Sequence, residues 1–228
     1  MAEAALSVAS LQPTGKIKRE IFLDGIRAGV TIIEYSLNLG SAMARPLSQE
    51  KRKAILRAAL EVVAGEGLGA PTAKIAKKAG VAEGTIFTYF ADKDALLNAL
   101  YVDLKTDLAR AMGKRFPAGA RARERGRHLW SCYIRWGAAD PLKHQALRQL
   151  SVSERVTEAS REAGRKCLGQ FSQVLEEVSR DGGQSDFSGA VMNALADTTL
   201  DFIAREPGRA RHYTRMGFEA FWRAAGGE

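Results

Sequence analysis

Apolar side chains recur along most of this chain at the spacing of an α-helix. The clearest stripe repeats at positions i, i+3, i+4, i+7 and i+8 and comprises Ile55, Ala58, Ala59, Val62 and Val63. Ser48 can cap this helix at its start, and the glycines between Gly65 and Gly69 end it. No stretch alternates cleanly between apolar and polar residues as a half-buried strand would, so the pattern predicts an all-α fold.

Two short helical patterns lie between Thr72 and Lys93. The inward-facing residues are Ile75, Ala76 and Ala79 in the first helix, and Ile86 and Phe90 in the second. A connection that runs from Gly80 to Glu83 joins the two helices. Two helices with a Gly-bearing turn of this length are the signature of a helix-turn-helix, whose second helix lies in the DNA major groove.

This segment resembles the DNA-binding half of the tetracycline-repressor (TetR) family of bacterial transcriptional regulators. The matching residues are Thr72, Ile75, Ala76, Ala79, Gly80, Val81, Gly84, Thr85, Ile86, Phe87, Tyr89, Phe90 and Lys93. The resemblance covers about residues 50–104, and beyond them only the helical character continues it. It implies an N-terminal three-helix helix-turn-helix domain, followed by a helical domain for ligand binding and dimerisation.

Seven residues are candidates for contact with double-stranded operator DNA: Thr72, Glu83, Gly84, Thr85, Thr88, Tyr89 and Lys93. Threonine hydroxyls can bond base edges or phosphates, and a threonine methyl can touch a thymine methyl. Gly84 lacks a side chain, so the helix can approach the bases closely. The resemblance implies that Tyr89 grips the DNA backbone and that Lys93 contacts a phosphate, which sets register rather than sequence choice.

Three positions leave alternatives open. Thr72 is placed to cap the second helix, and it can also contact a phosphate. Glu83 departs from the usual family pattern: an acid there would repel phosphate, or it could accept a bond from a cytosine amino group. Phe87 stands where a tyrosine is frequent in the family, and it can simply belong to the core.

The rest of the chain shows further helical patterns. A fourth helix carries an apolar stripe of Leu96, Leu97, Leu100, Tyr101, Leu104 and Leu108. Helix-breaking residues lie between Gly113 and Gly119. The remaining predicted helices cover residues 129–136, 142–150, 153–180 and 186–205 and the stretch from Pro207 to Ala225. We assign residues 43–104 to the helix-turn-helix domain and residues 105–228 to the ligand-binding and dimerisation domain.

The last two predicted helices suggest how two copies associate. One carries Phe187, Val191, Ala194, Leu195, Thr198 and Phe202 at spacings of three or four, and the other carries Ala210, Tyr213, Gly217, Ala220, Phe221 and Ala224 on one side. Two such helices from each of two chains would form a four-helix bundle, and the resemblance implies this homodimer. An ordinary monomer core is the alternative. We favour the dimer because helix-turn-helix readers generally engage two half-sites, about 34–36 Å apart or a multiple of that.

The second domain is also the place for a small-molecule effector, since regulators of this type usually sense one there. The candidate pocket residues are Trp130, Tyr133, Trp136, Phe171, Met192 and Phe202. Aromatic and apolar side chains of this kind line most ligand pockets. They also fill most protein cores, so each of these residues has a core interpretation as well.

Composition narrows the function. The 228 residues carry a formal net charge of +8, which favours a polyanionic partner. Neither the two cysteines nor the scattered histidines provide a metal ligand set, and no catalytic constellation, cofactor motif or membrane-spanning run is present. We expect a cytoplasmic repressor, and not an enzyme, that a small-molecule ligand releases from its operator. The alternative is a ligand-independent or architectural DNA-binding protein.

Residues 1–42 fit poorly with the remainder of the chain. They show neither a helical nor a strand period, and the residues from Met43 onward resemble the ordinary start of a TetR-family regulator. We interpret residues 1–42 as a disordered or mis-assigned extension before a natural start at Met43. The competing hypothesis is an arm that reaches DNA through Lys16, Lys18 and Arg19.

Overall fold

The computed structural model describes residues 47–178 and 185–226, so the interpretation of residues 1–42 lies outside the described part. Ten α-helices form within these ranges: α1 (Gln49–Glu66), α2 (Thr72–Ala79), α3 (Glu83–Tyr89), α4 (Lys93–Gly113), α5 (Ala122–Ala139), α6 (Pro141–Ser151), α7 (Glu158–Cys167), α8 (Gly169–Val178), α9 (Ser185–Arg205) and α10 (Ala210–Ala224). The all-α prediction is confirmed. None of the described helices is long and apolar enough to cross a bilayer.

Helix α1 begins and ends where the sequence pattern predicts. The Ser48 hydroxyl accepts a hydrogen bond from the backbone N–H of Lys51 at 3.3 Å. Gly67 succeeds the helix with a φ of 85°, a conformation that favours glycine. The apolar stripe is buried, and α1 packs against α2, α4 and α6. It therefore supplies the apolar floor for α2 and α3.

The turn between α2 and α3 depends on Gly80. Its φ of 68° and ψ of 33° lie in the left-handed region, a conformation that glycine adopts readily at the end of a helix. The prediction that Thr72 caps α2 is wrong. Pro71 occupies the cap position, because its carbonyl accepts the N–H of Lys74 at 3.1 Å. No side chain caps the helix there. Thr72 is thus the first residue of α2, and its hydroxyl does not cap the helix.

Helix α4 runs unbroken through the predicted domain boundary at residue 104. Its start is fixed by Asp92, whose Oδ1 accepts the N–H of Ala95 at 2.7 Å. The whole predicted stripe is buried, together with Met112. This one helix packs against α1 and also against α5, α6 and α7. The division into two domains stays a prediction, since α4 belongs to both of them.

The single helix predicted over residues 153–180 is wrong. The structure has two shorter helices there, α7 and α8, which are separated at Leu168. The N–H of Leu168 donates to the carbonyl of Arg165 at 3.0 Å, so the end of α7 tightens, and Gly169, a poor helix former, comes next. Helix α7 begins only at Glu158, because the Thr157 hydroxyl accepts the N–H of Ser160 at 3.3 Å.

Helix α10 packs so closely on α5 and α9 that Gly217 has no room for a side chain. A Cβ atom at this position would lie 2.3 Å from Thr199 Oγ1 and 2.6 Å from Trp130 Cζ2. Phe221, on the same predicted side of α10, is also buried. The small-residue side of α10 therefore packs at least partly against α5 and α9 of the same chain.

Candidate nucleic-acid interface and internal pocket

Helix α3 is held by one face and exposes the other. Ile86 is fully buried, and Phe90, directly after the helix, is also buried, as the sequence predicts. The outer side of the helix exposes Glu83, Gly84, Phe87 and Thr88, while Thr85 and Tyr89 are partly exposed. A short helix fixed in this way presents a rigid polar surface, which is what a reader of the major groove needs.

Phe87 belongs to this outer surface and not to the core. Its side chain is 47% exposed. The residue directly succeeds the fully buried Ile86, and neighbouring residues on a helix point about 100° apart, so the two cannot share an inward face. The helical wheel alone could have found this. An exposed aromatic ring here can contact a thymine methyl or a sugar.

Glu83 and Thr72 contact each other across the helix-turn-helix. The Thr72 hydroxyl donates to Glu83 Oε1 at 2.5 Å, which links the first residue of α2 to the first residue of α3. The donor that a phosphate would otherwise take is thus engaged by a carboxylate of the protein. This bond also leaves a negative charge at the start of the candidate recognition helix.

Tyr89 links the end of α3 to the start of α1. Its hydroxyl oxygen accepts a hydrogen bond from the backbone N–H of Ser48 at 3.1 Å. A phenolic hydroxyl that accepts one bond still has its own proton to donate. Tyr89 can therefore fix the geometry of the domain and donate to a DNA phosphate at the same time.

Two other candidates have restricted side chains. The Thr88 hydroxyl lies 3.4 Å from the carbonyl of Gly84, one turn back, in a weak bond that a better acceptor can replace. Lys93 is partly buried at the start of α4. Burial lowers the pKa of its ammonium group, the positive charge of Arg155 lowers it further, and Asp94 opposes both effects.

The lysines of α2 differ from one another in their pairing. Lys74 pairs with Glu66, and Lys78 pairs with Glu61 at 2.8 Å. The hydrogen bond from Lys78 lowers the pKa of the Glu61 carboxyl. Lys77 is exposed and has no ion pair with any described residue, so of these three it has the charge most available to a phosphate.

An internal pocket of about 500 Å³ lies among α4 to α9. It contains three of the six predicted residues, namely Tyr133, Phe171 and Met192. The other three lie elsewhere. Trp130 donates to the carbonyl of Thr214 at 2.8 Å within the core, and Trp136 donates to Asp107 at 3.0 Å. Phe202 is 41% exposed on α9.

The pocket also has charged walls that the sequence interpretation missed. Lys105, Arg148, Arg161, Arg165 and Asp197 all line it. Lys105 lies in the apolar stripe of α4, three and four residues from Leu108 and Tyr101, and a lysine at an inward position was the available signal. Its ammonium nitrogen lies 5.5 Å from the Tyr101 ring centre, in cation–π contact. Burial, helped by the charge of Arg161, lowers its pKa to about 8.

Residues 55–100 match the family model of the bacterial regulatory proteins of the tetR family. Over 57 residues the chain is 46% identical to an uncharacterized HTH-type transcriptional regulator, YvdT, of Bacillus subtilis; the match covers 25% of this chain and 29% of that protein. The chain thus spans about a third of the length of the curated relatives it matches.

Solved structures extend the likeness beyond the first three helices. A structure from Shewanella sp. PV-4 that is assigned to the TetR family has a TM-score of 0.68 and 26% identity, and covers 76% of this chain and 97% of that one. FadR from Bacillus subtilis, in complex with stearoyl-CoA, has a TM-score of 0.57 and 20% identity, and covers 74% of this chain and 96% of that one.

The exposed face of α3, held on a helix-turn-helix, defines a DNA-binding transcriptional regulator. The family match and the shared architecture are more specific: residues 55–100 form a helix-turn-helix of the TetR family, and the helices beyond them share their architecture with solved structures assigned to that family. Members of this family regulate transcription and are not enzymes.

Replacing Glu83 by glutamine should strengthen binding to DNA of any sequence. The amide oxygen can still accept the Thr72 hydrogen bond, while a negative charge near the phosphates is removed. We expect binding about two- to fivefold tighter at low salt, with a smaller gain at high salt. Fluorescence anisotropy with an operator and an unrelated duplex measures this. The control is Glu124→Gln, at an exposed acid near the start of α5. A loss confined to one DNA sequence would show instead that Glu83 accepts a bond from a base.

Replacing Lys105 by methionine should change how stability depends on pH. The Lys105 pKa is about 8 when folded, against 10.5 for an ordinary lysine, so the unfolded chain binds more protons between these values. The Lys105 ammonium group therefore makes the free energy of unfolding of the native chain rise with pH in this range. The variant should be about 1–2 kcal/mol more stable near pH 7, and this gap should shrink toward pH 10.

Urea denaturation across this pH range measures the gap. The control is Lys166→Met on α7, whose side chain is 76% exposed. Its stability should track that of the native chain at every pH. A gap for Lys105→Met that does not change with pH would mean that the lysine titrates normally in the folded protein.

Proposed function

We propose that this protein is a homodimeric repressor that binds operator DNA through α3 and leaves it when a small molecule enters the internal pocket. It would act in the cytoplasm, where its operator lies. The observation that carries the proposal is the exposed outer face of α3, fixed from behind by Ile86 and Phe90. The three further parts of the proposal are the reading of bases, the release by a ligand and the twofold assembly.

The outer residues of α3 would contact the bases of the operator. Gly84 lets the helix approach the bases, and Thr88 is exposed to reach a base edge or a phosphate. Tyr89 and Lys93 would hold the DNA backbone, and so would the first turn of α2. The net charge of +8 on the chain as a whole would also favour binding to a phosphate backbone.

Release would work through α6. Leu147, Arg148 and Ser151 of this helix line the pocket. On the same helix, Gln149 Nε2 lies 3.5 Å from the carbonyl of Ala64 in α1, and the two helices are in extensive contact. A ligand that moves α6 would therefore move the reading head as well. The size of the effect is limited by the difference in ligand affinity between the two conformations.

Release by a ligand is supported over ligand-independent binding by two observations. The cavity of about 500 Å³ is in the range of small-molecule sites, whereas an architectural DNA-binding protein has no need of one. FadR, which shares the fold, was solved in complex with stearoyl-CoA. Ligand binding is thus a known use of this architecture.

Assembly would use the outward face of α9 and α10. Ala190, Ala194, Thr198 and Phe202 are exposed at intervals of four on α9, and Met216 is 54% exposed on α10. The Phe202 ring lies 5.2 Å from the Tyr213 ring, which joins the two helices into one apolar surface. Two such faces would form a four-helix bundle and place two α3 helices on one duplex.

A gel shift with DNA from just upstream of the gene tests the reading of DNA. Tyr89→Ala should weaken binding by at least about tenfold, because both a backbone contact and the link to Ser48 are lost. Tyr89→Phe keeps the ring and loses only the hydroxyl, so its loss should be smaller. Circular dichroism should show both variants folded. Full affinity in Tyr89→Ala would contradict the role proposed for α3.

Phe202→Glu should dissociate the dimer. The substitution would place one carboxylate from each chain in an interface that must exclude water. Light scattering should then give the monomer mass, and DNA affinity should fall by more than about tenfold because one half-site is lost. Leu142→Glu is the matched control, since Leu142 is likewise 41% exposed but lies on α6. A dimeric Phe202→Glu variant would exclude this interface.

A further inference from the structure

The charges that line the internal pocket do not balance. Its only carboxylate among the described residues is that of Asp197, which lies 3.0 Å from His144 and 3.7 Å from Arg148. Arg165 pairs with Glu158 and Glu162 outside the pocket lining. Lys105 and Arg161 have no acidic partner among the side chains that the structure describes. The pocket therefore contains two positive charges that the described part of the chain does not neutralise.

Arg161 is held in position by uncharged groups. Its two terminal nitrogens donate to the carbonyls of Ser151 and Ser153, both at 2.9 Å, in the connection between α6 and α7. These bonds fix the guanidinium plane without cancelling its charge. A guanidinium has five N–H groups, so three are not used in these two bonds, and Arg161 lines the pocket. A planar fork fixed in this way suits a carboxylate or a phosphate.

Lys105 faces the same space from α4. Gly164 on α7 lets the two helices approach, since a Cβ there would lie 3.1 Å from Lys105 Cγ and 3.0 Å from Tyr101 Cε1. Arg161 is near enough for its charge to lower the Lys105 pKa, so the two cations repel each other. A bound anion would be attracted by both groups and would offset this repulsion.

The rest of the lining is largely apolar. Leu108 and Met112 come from α4, Leu147 from α6, Phe171 from α8 and Met192 from α9. Methionine side chains adapt to irregular shapes, so such a wall accepts a flexible apolar body. The lining thus combines the cations of Lys105 and Arg161 with an apolar surface that suits hydrocarbon.

We propose that the pocket takes an anionic amphipathic molecule, whose carboxylate or phosphate group lies between Lys105 and Arg161 and whose apolar body contacts Phe171 and Met192. This assignment rests on the proposed function, in which the same cavity is the effector site. It adds the chemical class of the effector: an anionic head group with a hydrocarbon body, in contrast to the cationic or neutral aromatic compounds that a cavity of this size could also hold.

The test uses four probes with the same ten-carbon chain: decanoate, decyl phosphate, 1-decanol and decylamine. Isothermal titration of the full-length protein at pH 7 gives each affinity. At least one anionic probe should bind no less than about tenfold more tightly than the alcohol, and the amine should be weakest. The stronger of the two anions tells a carboxylate ligand from a phosphate ligand. Equal binding of the alcohol, or no binding of either anion, would overturn the proposal.

Two variants assign the binding to the cationic part of the lining. Lys105→Met should lower the affinity for the anionic probe by about tenfold and leave the alcohol unchanged, whereas Lys105→Arg should restore most of the loss. Lys166→Met, on the solvent side of α7, should bind every probe like the native protein. If the Lys105→Met variant bound the anionic probe as tightly as the native protein, the head group could not lie at Lys105.

The same probes in a gel shift separate this inference from the repressor mechanism. An anion that binds the native protein but not Lys105→Met, and leaves the protein on its operator, confirms the ligand class and contradicts release. Release by a neutral or cationic probe alone supports the repressor and overturns the ligand class.

Discussion

Burial of the apolar stripe of α4 is the constraint on which the rest of the structure depends. Leu96, Leu97, Leu100, Leu104 and Leu108 are each at most 2% exposed. Each such side chain contributes about 1.5–3 kcal/mol when buried. Because the stripe is covered by α1 as well as by α5, α6 and α7, neither end of the protein has a complete core without this helix. The helix that would sense a ligand is therefore also a structural part of the helix-turn-helix.

The sequence predicts those parts of the fold that depend on neighbouring residues. The cap at Ser48 and the inward face of α3 result from local chemistry and helical spacing, and the structure confirms them. The break at Leu168 could not be predicted in this way, because apolar residues continue with helical spacing on both sides of it. The prediction that Thr72 caps α2 was wrong because the preceding residue, Pro71, can also occupy the cap position.

The pocket was harder to predict than the DNA-binding surface. Helical spacing shows which residues point inward, but not whether they meet a neighbouring helix or a cavity. Trp130 and Tyr133 are both buried on α5, yet only Tyr133 lines the pocket. The cationic part of the lining was overlooked because its lysine stands within a stripe of leucines, which by itself predicts a core. Such a residue costs stability in an apolar interior, and this cost is itself a sign of a binding site.

The carboxylate at the start of α3 has a consequence for the speed at which an operator is found. In the proposed DNA complex, the Glu83 carboxylate beside Thr72 would oppose phosphates of every sequence alike and would so shorten each stay on unrelated DNA. A genome offers on the order of 10⁶–10⁹ such competing sites. A protein with a net charge of +8 would otherwise spend most of its time on them. One acid on the proposed reading helix would thus give up some affinity in exchange for a faster search.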